Sequence, residues 1–170
     1  MRTKTVAMVV ALSTWMLCGS SAEAAKISRS DTEVRRLLAT WQKAFNAKNV
    51  DAVMSAYAPG GALLAYDIIP PLEVTGRDSY RKNYEQFFAQ YEGPLSIEFR
   101  DLNVVAGTDI AFCYALEKVS GTLKGGQKSD LWIRATSGLR RIDGKWKIVH
   151  DHISVPVDFE TGKARLDATP

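Results

Sequence analysis

Four long segments rich in β-branched and aromatic residues make up the second half of the chain. Short turns containing Gly-Thr-Asp, Gly-Gly and Asp-Gly separate them. Such segments predict β-strands, and sequential strands joined by tight turns pair in an antiparallel meander. The predicted long strands cover residues 95–105, 110–122, 128–141 and 145–155, and a short strand covers residues 62–67. The chain must therefore fold around a sheet.

Helical patterns fill the first half of the chain. The first helix is expected to begin at a capping box on Ser30, and the second after Asn49. A third helix is expected to follow Gly76 and to stop at Gly93-Pro94. Helices first and strands afterwards indicate an α+β domain, in which three N-terminal helices pack on a curved antiparallel sheet.

The chain begins like a secretory signal peptide. Arg2 and Lys4 precede an apolar run, residues 6–17, and Ala22-Glu23-Ala24 fits the small-x-small pattern of a cleavage site. The run is shorter than the ~20 apolar residues of a spanning helix, so we expect no stable membrane anchor. The sequence thus predicts a signal peptide at residues 1–24, a domain at 25–157 and a polar tail at 158–170. The protein is expected to be periplasmic or secreted.

The charge of the chain excludes one class of partner, and its cysteine content excludes a disulfide. Without residues 1–24, the 22 basic and 19 acidic residues become 20 and 18, a net charge of about +2. The basic residues are scattered, which excludes a nucleic-acid surface. Cys113 remains as the only thiol after cleavage, so no intramolecular disulfide can form. We expect Cys113 in the core.

The last predicted strand contains the only two histidines of the chain, His150 and His152. Strict alternation would place both on one face together with Trp146, Ile148 and Ser154. The imidazoles could carry protons near neutral pH or donate hydrogen bonds to a ligand, or they could be structural. Two histidines supply too few ligands for a metal, so we expect no metal and no cofactor.

The order of elements and the motif G-K-W-K-I-V-H-D-H-I-S-V-P resemble the SnoaL-like branch of the NTF2-like superfamily. Trp41 and the 67–76 loop with Pro70-Pro71 occur in the same order. This resemblance implies a cystatin-like cone, in which the helices and the sheet enclose a pocket and the other sheet face forms a homodimer. The superfamily includes ketosteroid isomerases, polyketide cyclases and a kinase association domain, so the fold selects no single activity.

The resemblance also suggests site residues. Asp67 matches the position of the isomerase aspartate that abstracts a proton next to a carbonyl, although it could equally cap the turn before the prolines. Trp41 matches the position of a catalytic tyrosine, and an indole N–H can donate a hydrogen bond but cannot titrate. Tyr84 matches a pocket tyrosine, and Tyr57 lies on a helix face that should meet the sheet. The position of the isomerase's second acid falls near Ser137, which weakens true steroid isomerase activity.

A further group lies on the strand before the histidines. Asp130, Trp132 and Arg134 alternate onto one face. If that face lines the pocket, Arg134 could bind a carboxylate or an enolate through its planar guanidinium. The alternative is a salt bridge on the sheet surface.

These inferences combine into one expectation, an exported SnoaL-like homodimer whose pocket holds a small, largely apolar carbonyl or carboxylate compound. The reaction, if there is one, would be proton abstraction or isomerisation next to a carbonyl, or a polyketide-cyclase-like lyase reaction. The alternative is a non-catalytic ligand-binding or oligomerisation module for an anionic molecule. The expected catalytic residues are Asp67, His150 and His152, and the expected pocket residues are Trp41, Tyr57, Tyr84, Asp130, Trp132 and Arg134.

Overall fold

The computed structural model describes residues 19–170, with side chains from Arg29 onward. Most of the predicted signal peptide, residues 1–18, therefore lies outside the described residues. Over residues 19–170, no helix combines the length and the hydropathy that crossing a bilayer requires.

Three helices precede the main part of the sheet: α1 (Gly19–Asn46), α2 (Val50–Met54) and α3 (Arg77–Ala89). Ser30 is buried inside α1, so the prediction that a capping box starts the helix there is wrong, because the helix continues upstream. Asn49 does cap α2, since its side-chain oxygen accepts the Ala52 N–H at 3.0 Å.

Six strands form one curved sheet in the order β2-β1-β6-β5-β4-β3. The four long strands are the predicted antiparallel meander. The short strand β1 pairs in parallel with β6, so the sheet is mixed, and β2 was not predicted. The bounds are β1 (Leu64–Tyr66), β2 (Val74–Thr75), β3 (Tyr91–Ala106), β4 (Ile110–Leu123), β5 (Lys128–Ile142) and β6 (Lys145–Ser154), with a 3-10 turn at Gly60–Ala62.

Gly93 and Pro94 lie inside β3, so the prediction that they end the third helix is wrong. The helix ends at Ala89, and the pairing of β3 with β4 shifts between Glu92 and Leu95. Pro94 is tolerated there because it occupies an irregularity of an edge strand, where no ladder hydrogen bond needs its missing N–H.

One face of the sheet packs against the helices, and we call it the inner face. On β4 it presents alternate residues, including Cys113 and Val119, and on β5 it presents Ile133 and Ala135. Cys113 is buried, as predicted, and burial raises the pKa of its thiol to about 12. The helices cover this face with apolar side chains, which on α1 are Val34, Leu38, Trp41, Ala44 and Phe45.

A β-bulge interrupts the alternation of β6. Leu139 pairs with Ile148, but the preceding residue Gly138 pairs with His150, so Val149 is an extra residue on β6. An extra residue inverts which side chains face inward beyond it. Trp146 and Ile148 face inward before the bulge, and Asp151 is buried after it. His150 and His152 therefore lie on the outer face, and the prediction that they share a face with Trp146 and Ile148 is wrong.

Candidate functional site

A cavity of about 320 Å³ lies between the inner face, α1 and α3. Aromatic and aliphatic side chains form most of its lining, and three acids interrupt them, namely Asp67, Glu117 and Asp151. Among the described residues that line the cavity, none is a lysine, an arginine or a histidine. A concave, largely apolar space with a few polar groups is the usual form of a small-molecule site.

Asp151 is held by two hydroxyl groups. Directly across the strands, the Ser137 hydroxyl donates to Oδ1 at 2.6 Å, and the Tyr57 hydroxyl donates to Oδ2 at 2.9 Å. The Tyr57 hydroxyl also lies 2.7 Å from that of Tyr84. Because Tyr57 has one proton, which it gives to Asp151, Tyr84 donates in this contact. Burial raises the pKa of Asp151, although its two hydrogen bonds oppose that shift.

Three tyrosines surround this chain of hydrogen bonds. Tyr57, Tyr80 and Tyr84 contact one another with ring centroids 5.1–6.0 Å apart. Burial raises the pKa of each phenol well above its ordinary value. They remain neutral hydroxyl groups under ordinary conditions, and Tyr57 is the one that donates to Asp151.

Glu117 is the acid without a hydrogen-bond partner among the described residues. It lies on the inner face of β4, where its cross-strand neighbours are Phe99 and Ile133, and its side chain is only 7% exposed. Burial, followed by the nearby charge of Asp151, raises the pKa of Glu117 to about 8. The group is therefore mostly a neutral carboxylic acid at pH 7, able to donate a hydrogen bond into the cavity.

Asp67 is half-buried and lines the same cavity. Its Oδ1 accepts the N–H of the next residue, Ile68, at 2.7 Å. The sequence predicted turn capping and a place in the pocket as alternatives for Asp67, and the structure shows both. The second carboxyl oxygen of Asp67 has no hydrogen bond among the described residues.

Trp41, Tyr57 and Tyr84 also line the cavity. The prediction that Tyr57 lies on a helix face is wrong, because α2 ends at Met54 and Tyr57 forms a single bridge with Ile148 of β6. The Trp41 ring packs against Phe45 and Phe99, with centroids 5.4 and 6.1 Å apart. Its indole N–H is buried and has no acceptor in the described part of the chain.

The two histidines do not reach this cavity. On the outer face they flank Tyr66 edge-on, with ring centroids at 4.9 Å for His150 and 5.8 Å for His152. His150 Nδ1 lies 3.0 Å from the Leu64 carbonyl oxygen. The expectation that both imidazoles face the pocket is wrong because the bulge at Val149 reverses their direction. Residues 19–170 contain no cluster of three or more side chains suited to hold a metal.

The expected pocket group on β5 lies on the outer face as well. Asp130 accepts the Ser120 hydroxyl at 2.8 Å and pairs with Lys118 at 3.1 Å, while Trp132 packs near the cations of Lys118 and Arg100. Arg134 is exposed. The three side chains do share a face, as predicted, but the expectation that this face lines the pocket is wrong, because the helices cover the other face.

Sequence reasoning missed Glu117 and Asp151. Both stand at inner positions of strands whose other inner residues are apolar, such as Cys113, Val119 and Ile153. An acid within an apolar alternation is the signal that could have identified Glu117, whereas the inward position of Asp151 depends on the bulge at Val149.

Comparison with known proteins supports this architecture. The model of the SnoaL-like domain matches residues 34–158. The chain belongs to the SnoaL-like domain family. No curated protein matches the chain at a significant level.

Several solved structures are similar to this SnoaL-like chain. An NTF2-like protein of unknown function from Pseudomonas putida is 29% identical, with a TM-score of 0.76 over 84% of this chain and 98% of its own. A ketosteroid isomerase-like protein from Erwinia carotovora atroseptica is 19% identical, with a TM-score of 0.62 over 74% and 95%. A protein with a cystatin-like fold from Nostoc punctiforme is 13% identical, with a TM-score of 0.58 over 72% and 87%. These likenesses confirm the NTF2-like, cystatin-like α+β fold.

The raised pKa of Glu117 predicts how stability changes with pH. A carboxyl that holds its proton up to about pH 8 when folded, but releases it near 4.5 when unfolded, stabilises the fold fully below pH 4.5. That stabilisation is lost as the pH rises from 4.5 to 8. Between these limits the wild type should lose on the order of 3–5 kcal/mol of unfolding free energy more than Glu117→Gln.

Urea unfolding at pH 4, 6 and 8 measures this difference. Glu92→Gln, an exposed change on β3, should follow the wild type at every pH. Parallel pH curves for the wild type and Glu117→Gln would show that Glu117 ionises normally in the folded protein.

Proposed function

We propose that this SnoaL-like domain binds a small, neutral and largely apolar carbonyl compound in the inner cavity and moves a proton next to its carbonyl group. The observation that carries the proposal is that two unlike acids line one largely apolar cavity. Glu117 is a neutral acid without a partner among the described residues, and Asp67 is a half-buried carboxyl at the edge of the same cavity. Acids whose environments separate their protonation states commonly divide the acid and base roles.

Glu117 serves as the hydrogen-bond donor in this proposal. A neutral carboxylic acid in an apolar wall can donate to the carbonyl oxygen of the substrate and strengthen that bond as the enolate charge develops. The neighbours Phe99 and Ile133 exclude water from this side of the cavity. Glu117 would thereby take the role of the isomerases' second acid, for which the sequence has no carboxyl group near Ser137.

Asp67 serves as the base. It removes a proton from the carbon next to the carbonyl, and the electron pair moves into the enolate. The carboxyl group then returns the proton to the conjugated carbon farther along, which completes an isomerisation with no net gain or loss of atoms. Asp151 is a positioning residue, because its oxygens are already occupied by Ser137 and Tyr57.

The lining disfavours an anionic ligand in this cavity. Asp67, Glu117 and Asp151 are present, while Arg134, the expected anion-binding residue, is on the outer face. The alternative of a non-catalytic module is therefore proposed here in a changed form, as a binding protein for the same neutral carbonyl compound. Its support is that the cavity lining holds donors without a partner among the described residues, namely Glu117, the Trp41 indole N–H and the Asn83 amide, while the hydroxyls of Ser137 and Tyr57 are directed to Asp151.

We also propose export and a homodimer. Export rests on the signal-peptide pattern of residues 1–24. The homodimer rests on the outer sheet face, where Phe112 and Tyr114 stack with centroids 6.2 Å apart while remaining 45% and 47% exposed. Exposed aromatic side chains grouped on a sheet face are typical of a protein interface.

Exchange of protons with solvent tests the catalytic proposal. The protein without residues 1–24 is incubated in deuterium oxide with a panel of cyclic enones, and deuterium in the enone is followed by NMR. Asp67→Asn and Glu117→Gln should each slow exchange by about 10²-fold or more, since each removes one acid–base group. Glu92→Gln is the control and should exchange at the wild-type rate.

Three outcomes would decide against the assignment. Exchange no faster with the wild type than with Asp67→Asn rejects catalysis on these compounds. A raised melting temperature with an enone but no exchange supports the binding protein instead. A large loss of deuterium exchange in His152→Gln would instead favour the catalytic role that the sequence predicted for the histidines.

Light scattering with size-exclusion chromatography tests the homodimer. Tyr114→Asp places a charge on the proposed interface and should convert a dimer into a monomer, because an unpaired charge is costly to bury. Leu72→Ser removes an apolar side chain that is 94% exposed elsewhere and should leave the dimer intact. A wild-type monomer at about 100 μM would contradict the proposal.

A further inference from the structure

A second cleft of about 460 Å³ lies between α1, α2 and the hairpin that joins β5 to β6. Trp41 lines both this cleft and the inner cavity, but the two spaces have opposite charge. Four basic side chains line the second cleft, namely Arg36, Arg141, Lys145 and Lys147, and its one acid among the described lining residues is Glu33.

The acid in this cleft is already neutralised. Glu33 pairs with Arg141 at 2.8 Å and with Arg29 at 3.0 Å. The hydrogen bond from Arg141, then that from Arg29, lowers the pKa of Glu33 below its ordinary value. Glu33 therefore offers little compensation to the remaining basic groups.

Two of the basic groups are occupied, and two are not. Arg141 donates to the Thr108 and Gly144 carbonyl oxygens at 3.2 and 3.1 Å as well as to Glu33. Lys147 donates to the Ser55 carbonyl oxygen. The side chains of Arg36 and Lys145 have no hydrogen bond or ion pair in the part of the chain that the structure describes.

Positive charge is in excess around Lys147. Burial lowers the pKa of Lys147, and the charges of Arg77 and Lys145 lower it further. A carbonyl oxygen is its acceptor, so no carboxylate of the described residues balances this group. An anion in the cleft would relieve this repulsion.

Two tryptophans that line the cleft have unused hydrogen-bond donors. The indole N–H groups of Trp41 and Trp146 are buried without an acceptor among the described residues, in residues that are 7% and 4% exposed. The Arg141 guanidinium covers the Trp146 ring at 4.6 Å from its centroid. An indole can donate but not accept, so a matching ligand must supply acceptor oxygens.

We propose that this cleft binds a small organic anion through carboxylate or phosphate oxygens, with Arg36 and Lys145 as its charged contacts and the two indole N–H groups as donors. The site is separate from the inner cavity and does not depend on the proposed reaction. From the sequence, Arg134 was expected to bind an anionic ligand, and this proposal places an anion in the second cleft instead. Oxyanion groups match such a donor set because each oxygen accepts more than one hydrogen bond.

Tryptophan fluorescence and calorimetry with citrate and inorganic phosphate test the proposal at low ionic strength. A Trp132→Phe background leaves Trp41 and Trp146 as the reporters within the described chain. Citrate should change their emission saturably, and the Arg36→Ala/Lys145→Ala double variant should bind at least about tenfold more weakly. Lys43→Ala/Lys124→Ala removes the same charge from exposed positions outside the cleft and should stay within about twofold of the background.

A third variant and a membrane control separate a specific site from general attraction to positive charge. Trp146→Phe removes one N–H donor and should weaken citrate binding while the protein remains folded by circular dichroism. Equal weakening in both double variants would show non-specific attraction and overturn the proposal. It is also overturned if neither anion binds below about 10 mM, or if only phosphatidylglycerol vesicles bind, which would indicate a lipid surface.

Discussion

A carboxylate cannot remain charged in an apolar cavity unless other groups compensate for the water it has lost, and this constraint determines the state of each acid inside the domain. Burial raises the pKa of Asp151, and the hydrogen bonds from Ser137 and Tyr57 oppose that shift. Glu117, between Phe99 and Ile133, has no such bonds from the described residues, and its pKa is raised to about 8. Two acids on one sheet face thus differ in whether hydrogen bonds oppose the effect of burial.

The bulge at Val149 decides which side chains are subject to that constraint. One extra residue turns Asp151 inward and leaves His150 and His152 beside Tyr66 on the outside. Without the bulge, the imidazoles would enter the cavity and the acid would face solvent. A single local irregularity therefore separates a cavity whose chemistry depends on carboxyl groups from one that would depend on histidines.

Trp41 is shared by two spaces of opposite character. The inner cavity has acids and no basic residue among its described lining, and the second cleft is lined by the unpaired cations of Arg36 and Lys145 and by two tryptophans with buried indole N–H groups. A neutral compound suits the first space, and an anion suits the second. This division follows from where the charges lie, not from the family fold.

The sequence predicted the layers of the fold better than the directions of individual side chains. Strong alternation identified the four long strands, and helical spacing identified the faces that place Trp41 and Tyr84 in the cavity. The alternate apolar residues Leu131 and Ile133 could have identified the inward face of β5. The functional role was instead predicted for Asp130, Trp132 and Arg134 on the other face.

The directions on β6 were harder to predict. The adjacent apolar residues Ile148 and Val149 mark the point where the alternation of inward and outward side chains is interrupted. Whether a bulge forms there depends on how β6 pairs with β5 and β1, which the sequence does not show. The predicted start of α1 at Ser30 and the predicted end of α3 at Gly93 were also wrong, because α1 begins upstream of Ser30 and α3 already ends at Ala89.

The most direct measurement is the ionisation of Glu117 itself. Full-length protein labelled with ¹³C at glutamate side-chain carboxyls can be titrated by NMR, with Glu117→Gln identifying the Glu117 signal. We expect this carboxyl to titrate near pH 8, far above the ordinary value of 4.5. Titration of Glu117 near 4.5 would contradict this expectation, since the carboxyl would then be charged and hydrated inside the cavity.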